Sequence, residues 1–294
     1  MGFQPSERVL ELNARLQAFM DENIYPRERD WTEFTHDPAN LWQVPQWYDE
    51  LREKAKDAGL WNLFLPHEYE PWSPGLTNVE IATVFETMSK VGWAQSVFNC
   101  SAPDRGNMEV LAKFGTAEQQ EQWLHPLLAG EIRSAYAMTE PQVASSDATN
   151  MELEIRRDGD EYVLNGRKWW TTGAIGERCK IMLVMGKSNP ENDRHRQHST
   201  ILVPRDAAGI TLVRPLHVFD SLHSPGGEAE LLFENVRVPA ANMIKGEGCG
   251  FEIAQGRLGP GRFQYAMTFV GLAQRCLELM CERAEERVTF GEKL

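Results

Sequence analysis

The chain has 294 residues, 42% of them hydrophobic and 25% charged, a balance that suits a globular protein of about two domains with a sizeable core. Its net charge of −13 and pI of about 5.1 leave no concentrated basic face for a nucleic acid. No apolar run approaches the roughly 20 residues of a membrane span, and no charged segment leads into an apolar signal core.

The opening MGFQPS fits a short N-myristoylation pattern at Gly2 and Ser6, which is too brief to carry weight. "ERVLELNARLQAFMDENIYPRE" places Val9, Leu10, Leu12, Leu16 and Phe19 at helical spacing, with Pro26 expected to end the helix. "TNVEIATVFETM" repeats that period with Ile81, Val84, Phe85 and Met88, capped by Thr77 or Asn78. "TAEQQEQWLHPLLAGE" opens with a Thr116–Gln119 capping box and stops at Gly130.

Beyond Gly130 the period becomes alternating. Leu153 and Ile155, a turn at Asp158-Gly159, then Tyr162 and Leu164 read as a hairpin. "CKIMLVMG", "STILVPR", "GITLVRPL" and "AELLFENVRVP" follow as strands, as in an all-β barrel or sandwich of about 100 residues. From Gly250 one long helix is predicted, with Phe263, Met267, Val270, Leu277, Cys281, Ala284 and Val288 on a single stripe that needs a partner. The fold class is therefore multidomain α and β. It divides into an N-terminal helical domain (1–132), a middle β domain (133–242) and a C-terminal helical segment (243–294), which the resemblance given below makes the first part of a helical bundle.

Cys100, Cys179, Cys249, Cys276 and Cys281 follow no CxxC spacing and read as reduced thiols of a cytoplasmic protein. His195 and His198 in "DRHRQHS" are read as a solvated loop, and no metal site is expected. "GEGCGF" (Gly246–Phe251) lacks the third glycine and the βαβ setting of a dinucleotide fingerprint.

Two stretches are richer in chemistry. "YAMTEPQVASSDATN" (Tyr136–Asn150) and "KWWTTGA" (Lys168–Ala174) each end a strand in hydroxyls beside a large aromatic. Such groups can hold the edge and face of a flavin, although two adjacent tryptophans also suit a plain strand with one on each face. Together with "VRVPAANMIKGEGCGF" and the terminal "RVTFG", in this order, they resemble the acyl-CoA dehydrogenase family over nearly the whole chain. The spelling is most similar to the branch that animals fuse to other domains, called family members ten and eleven.

The resemblance implies an FAD enzyme that oxidises an acyl-CoA to the 2,3-enoyl thioester, passing electrons to an electron-transfer flavoprotein or similar acceptor. An acyl-CoA oxidase or a nitroalkane-type oxidase on the same fold is an alternative, as is a non-catalytic acyl-CoA-binding scaffold. By the resemblance, Tyr136, Met138, Thr139, Ser145, Ser146, Trp170, Thr171 and Thr172 address FAD, with Thr172 at the flavin N5. Arg287, Thr289 and Phe290 reach the FAD of a neighbouring subunit, which implies a homodimer or homotetramer. Ser146 and Arg262 contact the acyl-CoA. One catalytic position stays unassigned. Some branches carry the proton-accepting carboxylate just before the arginine, but Gly261 stands there. Glu252 and Glu278 are several turns away, Glu140 is read as structural, and the base is expected after Leu294.

Overall fold

The computed structural model describes residues 5–294. Gly2 of the myristoylation pattern lies outside them, while Ser6 caps the first helix by accepting from Val9 N–H at 3.3 Å. Helices α1 (Glu7–Phe19), α2 (Glu28–His36), α3 (Gln46–Asp57), α4 (Asn78–Met88), α5 (Ala94–Val97), α6 (Asp104–Phe114), α7 (Ala117–Gln119) and α8 (His125–Ala129) come first. Strands β1 (Arg133–Ala137), β2 (Glu154–Asp158), β3 (Glu161–Thr172), β4 (Cys179–Lys187), β5 (His198–Pro204), β6 (Ile210–Leu216) and β7 (Glu228–Pro239) follow. The long helix α9 (Gly250–Glu286) and a small hairpin, β8 (Val288–Thr289) with β9 (Glu292–Lys293), complete the chain.

The backbone groups into two compact units. One comprises the residues up to Trp31, Gln46–Ser101 and Pro260–Leu294; the other comprises Thr32–Pro45 and Ala102–Gly259.

In the first unit the helical period is realised as burial. Val9, Leu12, Leu16 and Phe19 of α1 are buried, as are Ile81, Val84, Phe85 and Met88 of α4. Each such side chain contributes roughly 1.5–3 kcal/mol. Leu10 lies off that face and is exposed. Thr77 and Glu80 form a reciprocal capping box on α4. Pro26 does not end the first helical stretch. A π turn (Met20–Ile24) and a 3-10 turn (Tyr25–Arg27) carry it into α2, with Pro26 in the first turn where a missing N–H costs nothing. Helix α9 also behaves unlike its pattern. Its apolar residues Phe263, Phe269, Val270, Leu277 and Met280 face solvent. The opposite side is polar or small: Gln95 Nε2 donates to Thr268 Oγ1 (2.9 Å), Lys90 pairs with Glu278 (2.8 Å) and Gly271 packs on α4. Val288, placed on the stripe by its spacing, lies past the helix end in β8.

The second unit is built on one curled seven-stranded sheet in the order β1-β4-β2-β3-β7-β6, with β5 paired to β4. Ile155, Tyr162, Leu164, Val184, Ile201, Leu231 and Phe233 belong to its core. The hairpin β2–β3 pairs Ile155 with Leu164 and closes at Asp158↔Glu161, so its two turn residues are Gly159 and Asp160, one later than expected. Gly159 supplies the positive φ (64°) that turn demands. The solvated-loop reading fails for His198. It begins β5, is fully buried, and its Nε2 lies 2.8 Å from Met151 O. His195 stacks on Phe251 at 4.3 Å.

Candidate functional site

Strand β1 alternates between two surroundings. Ala135 and Ala137 enter the sheet core, while Ser134 and Tyr136 meet a polar network from α6 and the start of α9. Asp104 Oδ1 accepts from Ser134 N–H (2.6 Å) and Oγ (2.7 Å), and its other oxygen pairs with Arg133. Asn107 donates to Ser134 Oγ (2.8 Å) and accepts from Arg257 Nε (2.9 Å); that guanidinium lies 4.0 Å over the Tyr136 ring. Burial pushes the Tyr136 hydroxyl above its ordinary pKa, while Arg257 and Thr200 pull it back.

After Ala137 the chain leaves the ladder but stays tied to β3. Trp169 N–H donates to Thr139 O (2.9 Å) and Lys168 Nζ to Met138 O (2.8 Å). Lys168 is completely buried and pairs with Glu140 at 2.7 Å. The same carboxylate accepts from Glu152 N–H (2.7 Å) and Leu153 N–H (2.9 Å). Glu140 is thus a knot joining three segments, in line with the structural role read for it. Burial depresses Lys168 to about 8 in spite of the Glu140 charge.

The loop that follows uses most of its own polar groups. Ser145 Oγ accepts from Glu140 N–H (2.8 Å), Asp147 accepts from Thr149 N–H (2.9 Å) and Oγ1 (2.6 Å), and Arg194 bridges Asp147 and Thr149. Asn150 reaches back to Ala144 O at 3.3 Å. Ser146 is exposed, and Thr139 is half-buried; neither hydroxyl has a partner among the described residues. The row of small polar residues is therefore spent largely on folding the loop itself, and the Ser146 and Thr139 hydroxyls are left over from it.

On β3 a register shift between Lys168 and Thr171 places the two tryptophans in a bulge. Both Lys168 and Thr171 are fully buried, three positions apart, where an unbroken strand would send them to opposite faces. Trp170 adopts φ 50° and stands 38% exposed. Trp169 Nε1 and Thr171 Oγ1 are buried without partners, donors that a polar ring edge can satisfy. Thr172 is exposed; its Oγ1 donates to Glu228 Oε2 at 2.7 Å, and Glu228 lies 3.6 Å from His223. At Gly173 (φ 83°) a Cβ would come within 3.2 Å of Ser134 O.

The structure thus gathers eight of the predicted cofactor residues, Tyr136 to Thr172, in the sheet unit. Arg262, Arg287, Thr289 and Phe290 belong to the helical unit. There Arg262 is exposed on α9, Arg287 is exposed just past it, and Thr289 and Phe290 form a tight hairpin with Phe290 at φ 52° and fully exposed. Helix α9 runs unbroken through Pro260, so Glu252 and Glu278 stay several turns from Gly261. Glu252 pairs with Lys245 and Glu278 with Lys90, and these lysines hold both carboxyls below their ordinary range.

Pattern reading missed Lys168, Arg257, Glu228 and His223. The one available signal was a lysine beside two tryptophans in an apolar strand. The cysteines are free thiols, and no cluster of three potential metal ligands occurs among the described residues. No described helix is long and apolar enough to cross a membrane.

Comparison with known proteins fits this architecture. The acyl-CoA dehydrogenase N-terminal, middle and C-terminal domain models match residues 6–131, 135–236 and 248–294. Acyl-CoA dehydrogenase family member 11 of Rattus norvegicus is 49% identical over 99% of this chain, which spans only 38% of that protein's length. FadE2 of Mycobacterium tuberculosis is 48% identical over the whole chain and 71% of its own. A Mycobacterium abscessus structure assigned to the acyl-CoA dehydrogenases superposes with TM-score 0.93 at 48% identity, over 99% of this chain and 73% of that one. A glutaryl-CoA dehydrogenase from Mycobacterium smegmatis, in complex with FADH2, shares the fold at TM-score 0.77 and 22% identity, over 98% of this chain and 68% of that one. The chain belongs to the acyl-CoA dehydrogenase family.

Proposed function

We propose that this chain carries the flavin and thioester sites of an FAD-dependent acyl-CoA dehydrogenase that forms the 2,3-enoyl thioester. The observation that carries the reading is the strand-end pair: Thr139 and Trp169 tied at 2.9 Å, Trp170 turned outward by the bulge, and the buried Trp169 Nε1 and Thr171 Oγ1 left unpaired. When bound, FAD supplies the hydride acceptor for the desaturation. Tyr136, Met138, Thr139, Ser145, Ser146, Trp170, Thr171 and Thr172 would hold it, with Arg287, Thr289 and Phe290 serving the FAD of a second subunit. Ser146 and Arg262 would take the acyl-CoA.

In this reading Trp170 covers the ring, and the hydroxyls of Thr139 and Thr172 orient its polar edge. Lys168 and Glu140 hold the two strand ends in register. An arginine suits a pyrophosphate because its guanidinium binds two oxygens at once. The three acids weighed as bases are already engaged: Glu140 with Lys168, Glu252 with Lys245 and Glu278 with Lys90. The proton-accepting carboxylate is proposed to lie after Leu294. A division at 1–132, 133–242 and 243–294, a homodimer or homotetramer, an electron-transfer flavoprotein as acceptor and a cytoplasmic setting complete the proposal.

The test is flavin content and affinity. Trp170→Ala and Thr139→Ala are each expected to weaken FAD binding about tenfold, a loss of about 1.4 kcal/mol, with circular dichroism unchanged. Undiminished flavin in both variants would overturn the assignment. An anaerobic spectrum with a mixed acyl-CoA set then separates the enzyme from a scaffold: bleaching of the bound flavin marks the dehydrogenase, and a colourless protein marks the scaffold.

A further inference from the structure

Glu228 opens β7 and faces Thr172 across the β3–β7 ladder. Thr172 Oγ1 donates to one carboxylate oxygen at 2.7 Å, and His223 Nδ1 stands 3.6 Å from the other. Glu228, 8% exposed, is the buried member of the three: Thr172 is exposed, and the His223 side chain is 49% exposed. His223 is fixed in place, with its carbonyl accepting from Gly227 N–H (2.9 Å) and its own N–H donating to Ser221 Oγ (3.1 Å).

The charges around Glu228 are few. Glu230, two residues on, takes Arg214 (2.7 Å) and Arg167 (3.4 Å). Across the other ladder, on β6, Glu228 is paired with Leu216. Besides Thr172, His223 is the one side chain paired with it among the described residues. Burial raises the Glu228 carboxyl above its usual range, and the bonds from Thr172 and His223 oppose that rise.

A hydroxyl has one proton to give. An ionised Glu228 takes it, so Thr172 offers only lone pairs to the other side. A protonated Glu228 can donate to Thr172 Oγ1, which frees the hydroxyl proton to point away. We propose that Glu228, with His223 at its other oxygen, sets whether the Thr172 hydroxyl donates or accepts toward the cofactor, so that recognition at this strand end follows pH. The inference rests on the assignment of Thr172 to FAD made above. Glu228 and His223 are positioning residues in it, acting through Thr172.

An oxidised flavin edge presents acceptor nitrogens, so the protonated state of Glu228 is the matched one. FAD should bind about fivefold more tightly below the Glu228 midpoint than above it, the worth of about one hydrogen bond. Glu228→Gln and Thr172→Val should each abolish this step, Thr172→Ser should restore it, and His223→Ala should move it to higher pH because a partner that favours the ionised carboxylate is lost.

A second readout needs no flavin. Infrared difference spectra of the cofactor-free protein, followed through an acid-to-alkaline titration, should contain a protonated-carboxyl band that vanishes in Glu228→Gln. Its midpoint should rise in Thr172→Val. Absence of that band, a midpoint indifferent to Thr172→Val, or an undiminished affinity step in Glu228→Gln would each overturn the proposal. A wild-type protein with no FAD affinity at any pH would instead overturn the cofactor assignment, and the infrared titration would still decide whether Glu228 governs Thr172.

Discussion

Lys168 is fully buried and bonded to Glu140 and Met138, between the two segments assigned to the flavin. Replacing it with methionine keeps the volume but leaves a buried carboxylate supported only by the Glu152 and Leu153 amides. Breaking a buried pair costs about 3–5 kcal/mol. The low end is expected for Lys168→Met, because those two amides remain, and chemical denaturation measures it. Adding Glu140→Gln should return part of the loss by removing the stranded charge. The pH dependence has a definite sign. Lys168 titrates at about 8 in the folded chain, below the 10.5 of an ordinary lysine, so the unfolded state holds more protons between those values. The site's contribution is fully present above about 10.5 and is lost as pH falls through about 8. The stability gap between wild type and Lys168→Met should therefore widen as pH rises from about 7 to about 10. A gap that is flat or narrows with pH would mean that the buried ammonium is not what titrates.

Helix α9 offers a contrast between two glycines of the same element. In a helix, glycine to alanine ordinarily stabilises by about 1 kcal/mol. At Gly261 a Cβ meets nothing within 4 Å, so Gly261→Ala should follow that rule. At Gly271 it would lie 2.2 Å from the Glu86 carbonyl oxygen and 3.1 Å from Ser89 Cβ. Backbone cannot move aside cheaply, so Gly271→Ala should destabilise by about 1–3 kcal/mol. Opposite signs in thermal melts of the two variants are the expected outcome; stabilisation by both would show that α4 and α9 do not approach so closely. The same helix marks where the sequence was readable. Its start, its extent and the apolar stripe are local matters, as are the capping boxes at Thr77 and Thr116 and the stop at Gly130. The tight fit at Gly271 and the polar inner face are set by α4 and α5, far off in the chain. The bulge at Trp169-Trp170 was hidden for the same reason: register belongs to the pairing with β7, and a one-residue insertion reverses the faces that alternation predicts. Motif order identified the strand ends, but which of their hydroxyls are spent on the loop itself became visible only from partners such as Arg194 and Glu228.

At the scale of the molecule two terms compete over association. The outward side of α9 exposes Phe269, Val270, Leu277 and Met280, whose relative exposures run from 45% to 69%. A row of this kind marks a surface that gains by being covered. Against it stands a net charge of −13, which opposes bringing two copies together. Salt acts on only one of these terms. It screens the repulsion, with a Debye length of about 10 Å at 0.1 M and about 3 Å at 1 M, and leaves apolar burial intact. If the proposed homo-oligomer is held by this face, sedimentation should show a concentration-dependent equilibrium that strengthens as salt is raised. Phe269→Ser with Met280→Ser should weaken it at least about tenfold, since losing two such side chains from an interface removes more than the roughly 1.4 kcal/mol that a factor of ten requires. Association that weakens with salt would point to ion pairs elsewhere on the surface. A chain that stays monomeric at every concentration and salt level would show that this face alone does not bring copies together.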